Sequence, residues 1–101
     1  MQIMQGDQYN IPFEISDSQG EAILPAQVES VEFSIGNMRK SYPDEVTYSG
    51  GQYLFPITQQ EAFSMQNSVL VQIRVKFSNG DIVGASVGGI NVAASISKAV
   101  L

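Results

Sequence analysis

The chain has 101 residues, 44% of them hydrophobic and 15% charged, with a formal net charge of −5 and neither cysteine nor histidine. This length and composition predict one folded domain over residues 1–101. The acidic balance argues against binding to nucleic acid or to anionic lipid, and the missing residue types exclude disulfides, thiolate catalysis and histidine-based acid–base chemistry.

Alternation of apolar and polar residues predicts β-strands in the first half of the chain. Residues 9–15 place four apolar side chains on one face: Tyr9, Ile11, Phe13 and Ile15. Pro12 has no N–H to donate, so this strand is expected at a sheet edge or with a bulge. The segments DSQG (17–20) and YPDE (42–45) are typical of turns, and residues 31–35 alternate between them.

Strand patterns continue in the second half. Residues 53–57 alternate, and residues 69–77 form the longest alternating run. Asn79-Gly80 predicts a two-residue type I′ hairpin, which would place Val75 opposite Gly84. The partner strand is predicted from residue 82 to about 87, with a bend or bulge at its glycines, and a last strand near residues 90–92. The segment 93–101 is left open between strand, short helix and free end.

One passage has a helical signal. Thr58 and Glu61 have the spacing of a capping box, Asn67 suits a left-handed stop, and Phe63 is expected to pack on the core. We expect a short helix near residues 59–65 that carries the chain between sheets and packs against the sandwich end. The alternative is an exposed partner-binding projection. Together the elements predict an all-β fold, an antiparallel β-sandwich of about 6–8 strands with one short helix.

The sequence contains no constellation of residues typical of catalysis, so the chain is predicted not to be an enzyme and to need no cofactor or metal. The segment DSQGE (17–21) carries oxygen ligands that suit Ca²⁺, but a plain turn is the favoured interpretation. Arg39 and Lys40 form the one basic cluster, interpreted as a solvated loop. Tyr42 and Tyr48 are the aromatic residues expected to be exposed, as a carbohydrate site would require.

Several motifs resemble a known family. The stretch QGDQYNIPFEISDSQGEAI (5–23) resembles the opening of small Ig-like structural proteins of tailed phages and prophages of Gram-positive bacteria. The stretch YLFPITQQEAFSM (53–65), the long strand after it, NGDIV (79–83) and GINV (89–92) are similar to the N-terminal domain of baseplate upper proteins. Such proteins continue into a coiled coil or a receptor-binding part, which is not found here, so the resemblance suggests an accessory subunit.

The resemblance implies that the predicted β-sandwich is Ig-like and that the protein is a non-enzymatic structural or assembly protein of a phage tail or baseplate. Its partners would be other tail or baseplate proteins, with a homo-oligomer possible, and it would be a virion component made in the host cytoplasm without a secretion signal. The residues proposed for partner binding are Arg39, Lys40, Tyr42, Tyr48 and Leu70. The alternative function is a small carbohydrate- or Ca²⁺-binding module.

Overall fold

The computed structural model describes residues 2–101, with the side chains of residues 85–88 left out. Over that range the strands and the helix are β1 (Gln2–Met4), β2 (Tyr9–Phe13), β3 (Val28–Ile35), β4 (Met38–Tyr42), β5 (Thr47–Ser49), β6 (Gln52–Ile57), α1 (Gln59–Ser64), β7 (Asn67–Phe77) and β8 (Ile82–Ala93). A 3₁₀ turn, Pro25–Gln27, precedes β3. The body measures 47 × 22 × 21 Å, and its length follows the long strands β7 and β8.

The strands form two sheets of unequal width, and the predicted all-β sandwich is confirmed. The larger sheet has the order β1-β8-β7-β3-β4, and the smaller has the order β2-β6-β5. These orders match those of an immunoglobulin-like sandwich, in which the B-E-D strands face the G-F-C-C′ strands. Neighbouring strands are antiparallel, as predicted for the sandwich, except β1 and β8, which run parallel at one edge.

The core lies between the sheets, on the faces that the alternating pattern predicts. Phe33, Tyr53 and Phe55 are almost completely buried at its centre, and the ring of Phe33 lies 6.0 Å from that of Tyr53 and 6.4 Å from that of Phe55. Phe13 packs against this cluster at 5.4 Å from Phe33. Tyr9 departs from the prediction, because its side chain is exposed at the start of an edge strand.

The hairpin between β7 and β8 differs from the prediction by one residue. Gly80 N–H donates to the Phe77 carbonyl, and Phe77 N–H donates to the Asp81 carbonyl, so the loop has three residues, 78–80. The Asn79 side chain accepts from Asp81 N–H at 2.9 Å, and Gly80 takes the left-handed conformation that such loops require. Val75 therefore lies opposite Val83 instead of Gly84.

The two strands predicted after this loop are one continuous strand, β8. The expected irregularity is confirmed: Leu70 pairs with Gly89 and Gln72 with Ser86, so one residue of β7 faces two of β8. Pro12 also lies as expected, because β2 is an edge strand of the smaller sheet. That strand ends at Phe13 and does not continue to residue 15.

Helix α1 has the predicted cap. Thr58 Oγ1 accepts from Glu61 N–H at 3.2 Å, and a Glu61 carboxylate oxygen accepts from Thr58 N–H at 2.9 Å. The helix connects β6 of the smaller sheet to β7 of the larger sheet, and it buries Ala62 and Met65 in the core. Asn67 has the predicted positive φ, at 59°. The helix thus crosses between the sheets and closes one end of the sandwich.

Replacing Tyr53 with phenylalanine should destabilise the fold. The Tyr53 hydroxyl donates to the Ile23 carbonyl at 2.9 Å in the core, so Tyr53→Phe leaves a buried acceptor unsatisfied and should cost about 1–2 kcal/mol in the free energy of unfolding. Chemical denaturation measures this cost. Tyr9→Phe is the matched control and should change the free energy by less than about 0.5 kcal/mol because Tyr9 is exposed.

The same variant tests the ionisation of Tyr53. Burial, with smaller contributions from Tyr48 and Tyr42, raises the pKa of Tyr53 to about 12. Because the folded pKa is raised, the stability from this hydrogen bond is fully present below the unfolded pKa and is lost as pH rises through the folded value. Alkaline absorbance titration of the wild type should show a phenol ionising near pH 12, and Tyr53→Phe should lack it. An unchanged titration would contradict the assignment.

Candidate interaction surfaces

Lys40 joins the two sheets at one edge of the sandwich. Its Nζ donates to the Pro56 carbonyl at 2.7 Å and to a Glu61 carboxylate oxygen at 3.0 Å, and it lies 5.2 Å from the centre of the Phe55 ring. Its side chain is only 13% exposed. The predicted solvated loop is therefore wrong for Lys40, because residues 38–42 form strand β4 and alternate side chains of a strand face opposite sides.

Arg39 and Leu70 lie on the outer face of the larger sheet. Arg39 is exposed and lies opposite Ser34 of β3. On its other side, Ser34 lies opposite Gln72 of β7. Leu70 lies two residues before Gln72 on the same strand face and is 70% exposed. Arg39 and Leu70 are thus exposed and available for contact with a partner, as expected for Leu70. The Lys40 side chain is largely buried and is not available.

Tyr42 and Tyr48 are half-buried instead of exposed. Both pack edge-on against Tyr53, with ring centres 5.4 Å and 4.9 Å away. The two rings lie close together because β4 and β5 are edge strands of their two sheets and a short turn connects them. Both rings therefore pack against the same side of the aromatic core. A carbohydrate platform needs exposed ring faces, so this geometry disfavours the pair as a sugar site.

The acidic segment 17–21 is a turn. One Asp17 carboxylate oxygen accepts from Gln19 N–H at 2.8 Å and from Glu21 N–H at 2.9 Å, and Gly20 has a φ of 81°. The carboxylate therefore stabilises its own loop. Within the described residues, no group of three or more His, Cys, Asp or Glu side chains lies close enough to hold a metal ion.

An apolar groove opens beside β8, and sequence reasoning missed it. Its volume is about 440 Å³, and it lies between the segment 14–18 and the inner faces of β7 and β8. Apolar side chains form its floor: Ile15, Ile23, Ile73, Val75, Phe77 and Val83. Glu14, Ser16, Asp17 and Ser18 form the polar remainder of its lining. Val83 faces inward beside Val75 and is still 56% exposed.

The groove exists because the sheets differ in width. The larger sheet extends to β8 and β1, but the smaller sheet ends at β2, and no strand pairs with the outer edge of β2 in the described chain. At the α1 end, Ile3 and Ile90 of β1 and β8 are buried in the core with Ala62 and Met65. At the hairpin end, no helix or strand of the described residues lies over β8, and Val83 is left 56% exposed.

The C-terminal segment, residues 94–101, has no helix or strand and lies at the α1 end. Its polar atoms bond to neighbouring glutamines: Lys98 Nζ donates to Gln5 Oε1 at 2.6 Å, and Leu101 N–H donates to Gln59 Oε1 at 3.0 Å. Its large apolar side chains point to solvent, with Ile96 and Leu101 fully exposed and Val100 64% exposed. The segment is thus held by its polar atoms and leaves its apolar atoms uncovered.

Comparison with known proteins returned no match among protein-family models, curated proteins or solved structures. In the part of the chain that the structure describes, no helix is both long and apolar enough to cross a membrane.

The Lys40–Glu61 pair should make stability depend on pH. Burial alone would raise the pKa of Glu61, but the hydrogen bond from Thr58 N–H and the hydrogen bond and charge of Lys40 together lower it. Because the folded pKa is lowered, the stabilisation is present above the unfolded pKa and is lost as pH falls through the folded pKa. The difference in melting temperature between wild type and Glu61→Gln should therefore shrink between about pH 7 and about pH 3.

Lys40→Met should lower the free energy of unfolding by about 1–3 kcal/mol at neutral pH, because it leaves the Pro56 carbonyl and the Glu61 carboxylate without their partner. Arg39→Met on the same strand removes an equal charge from the outer face and should change it by less than about 0.5 kcal/mol. Denaturation of both variants measures the contrast. Equal losses for the two variants would contradict a specific role for Lys40.

Proposed function

We propose that this protein is a non-enzymatic structural or assembly component of a phage or prophage tail or baseplate, acting through contacts with other tail or baseplate proteins. The observation that carries the assembly part is the pair of uncovered apolar surfaces: the groove beside β8 and the side chains of the C-terminal segment. The phage part rests on the resemblance of residues 5–23 to small Ig-like tail proteins, and of residues 53–65, the long strand after them, residues 79–83 and residues 89–92 to baseplate upper proteins.

The two surfaces favour protein contacts on energetic grounds. Burying one large aliphatic side chain contributes about 1.5–3 kcal/mol, so Ile96, Val100 and Leu101 together offer a substantial driving force for association. A contiguous apolar surface with a polar rim is typical of a protein–protein site. The groove has this character, with apolar side chains on its floor and two carboxylates, Glu14 and Asp17, in its lining.

The alternative function, a carbohydrate- or Ca²⁺-binding module, is less well supported. Tyr42 and Tyr48 pack against Tyr53, and Asp17 bonds to its own turn, so both sets of residues are already engaged. The outward residues Arg39 and Leu70 remain candidates for partner contact on the outer face of the larger sheet.

The proposal predicts that the protein is part of virus particles. Phage particles induced from the host strain should bind gold-labelled antibody raised against the purified protein, and the label should lie on the tail or baseplate. Antibody that has been absorbed with the purified protein is the control. Mass spectrometry of gradient-purified particles covers the case of a buried epitope. Particles that neither bind the antibody nor contain peptides of this protein would overturn the proposed function.

A further inference from the structure

We infer that the groove beside β8 binds the C-terminal segment of a second copy of this chain, so that copies associate head to tail. The inference rests on the proposed function, because it names one partner in the proposed assembly. Three observations carry it: the shapes and polarity of the two surfaces, their opposite charges, and their separation along the molecule.

The two surfaces match in polarity. The groove floor is apolar and includes Val75, Phe77 and the half-open Val83. The C-terminal segment has no regular secondary structure and presents the exposed side chains of Ile96 and Val100 two residues on either side of Lys98. Bound in an extended conformation, the segment would turn Ile96, Lys98 and Val100 to the same side. The two aliphatic side chains would then meet the apolar floor, and the long Lys98 side chain would reach the carboxylates in the groove lining. The groove volume, about 440 Å³, is enough for a few aliphatic side chains.

The charges are complementary. Glu14 and Asp17 lie in the groove lining, and Glu14 is exposed and forms no ion pair in the part of the chain that the structure describes. Lys98 is the one basic residue of the segment 94–101. In its own chain Lys98 donates to the neutral Gln5 amide oxygen. Moving Lys98 to a carboxylate replaces a hydrogen bond in which only the donor is charged with an ion pair in which donor and acceptor carry opposite charges.

Separation excludes the contact within one chain. The C-terminal segment leaves β8 at Ala93, and Lys98 reaches at most about 18 Å from that point, at up to 3.6 Å per residue. Val83 lies ten residues back along β8, roughly 33 Å away. A Lys98 that pairs with a carboxylate of the groove must therefore come from another copy. Because the two surfaces are different and lie at opposite ends of the molecule, repeated contacts build a reciprocal dimer of two antiparallel copies, a ring or a linear stack.

Reversal of the two charges tests this arrangement. Wild-type protein should form oligomers in a concentration series by analytical ultracentrifugation, and Lys98→Glu should raise the dissociation constant at least about tenfold by placing like charges together. Glu14→Lys should do the same from the groove side. Glu45→Lys is the charge-matched control, because Glu45 is exposed and lies outside the groove, and it should associate as the wild type does.

Mixing separates this contact from a general effect of net charge. Lys98→Glu and Glu14→Lys should each stay mostly monomeric alone but associate when combined, because each segment then meets a groove of opposite charge. Unchanged melting temperatures establish that the variants are folded. A wild type that stays monomeric over the whole series, or a mixture that does not associate, overturns the inference. The particle-labelling result decides the proposed function independently, since tail proteins also assemble through other surfaces.

Discussion

Five strands face three in this molecule, and most of its surface features follow from that inequality. A sheet is stable only where its apolar face is covered. Over β7, β3 and β4 the smaller sheet provides this cover, and the aromatic core around Phe33 lies there. The inner faces of β8 and β1 extend beyond the smaller sheet, so the chain must cover them with something other than a strand.

The part of the larger sheet that extends beyond the smaller sheet, β8 and β1, is covered at one end and open at the other. At one end α1 lies across the gap between the sheets, and Ile3, Ile90 and Met65 are buried in the common core. The capping box matters here because a helix of six residues has little stability of its own. Glu61 links the cap to Lys40 and so to the opposite edge of the sandwich. At the hairpin end no comparable element is present in the described chain, and the groove remains.

The sequence predicted much of this architecture, for physical reasons that are local. Alternation at residues 31–35 and 53–57 identified buried faces, because side chains of a strand alternate between core and solvent. The helix was predictable because both halves of its capping box lie within four residues. Tyr42 and Lys40 could not be placed, since their burial depends on which strands end the sheets. That is a property of the whole topology.

The sequence did not reveal the groove, because the predicted register of the β7–β8 hairpin was wrong by one residue. A two-residue loop at Asn79-Gly80 would have turned Gly84 toward the core and Val83 toward solvent on the outer face. The three-residue loop reverses both. In the three-residue loop, the Asn79 side chain accepts a hydrogen bond from Asp81 N–H. The dipeptide Asn-Gly alone does not reveal this hydrogen bond. The groove beside β8 therefore depends on the turn geometry at the tip of one hairpin.

The edge of β2 explains why a partner would use side chains in the groove instead of adding a strand. Pro56 lies opposite Asn10, and Pro12 lies opposite Leu54. In an antiparallel pair of strands, hydrogen-bonded residue pairs alternate with pairs that are not hydrogen-bonded. Because neither proline has an N–H, the pairs that contain Pro12 and Pro56 are the second kind, and the backbone hydrogen bonds between β2 and β6 form at the pairs between them, such as Ile11 with Phe55. The missing N–H of Pro12 is then on the free edge, where an added strand would need a donor. Such an edge resists strand addition. Contact with the apolar groove floor beside β8, in contrast, requires no backbone hydrogen bonds. In the association that we propose, contact through the groove is thus the mode that the edge of β2 leaves open.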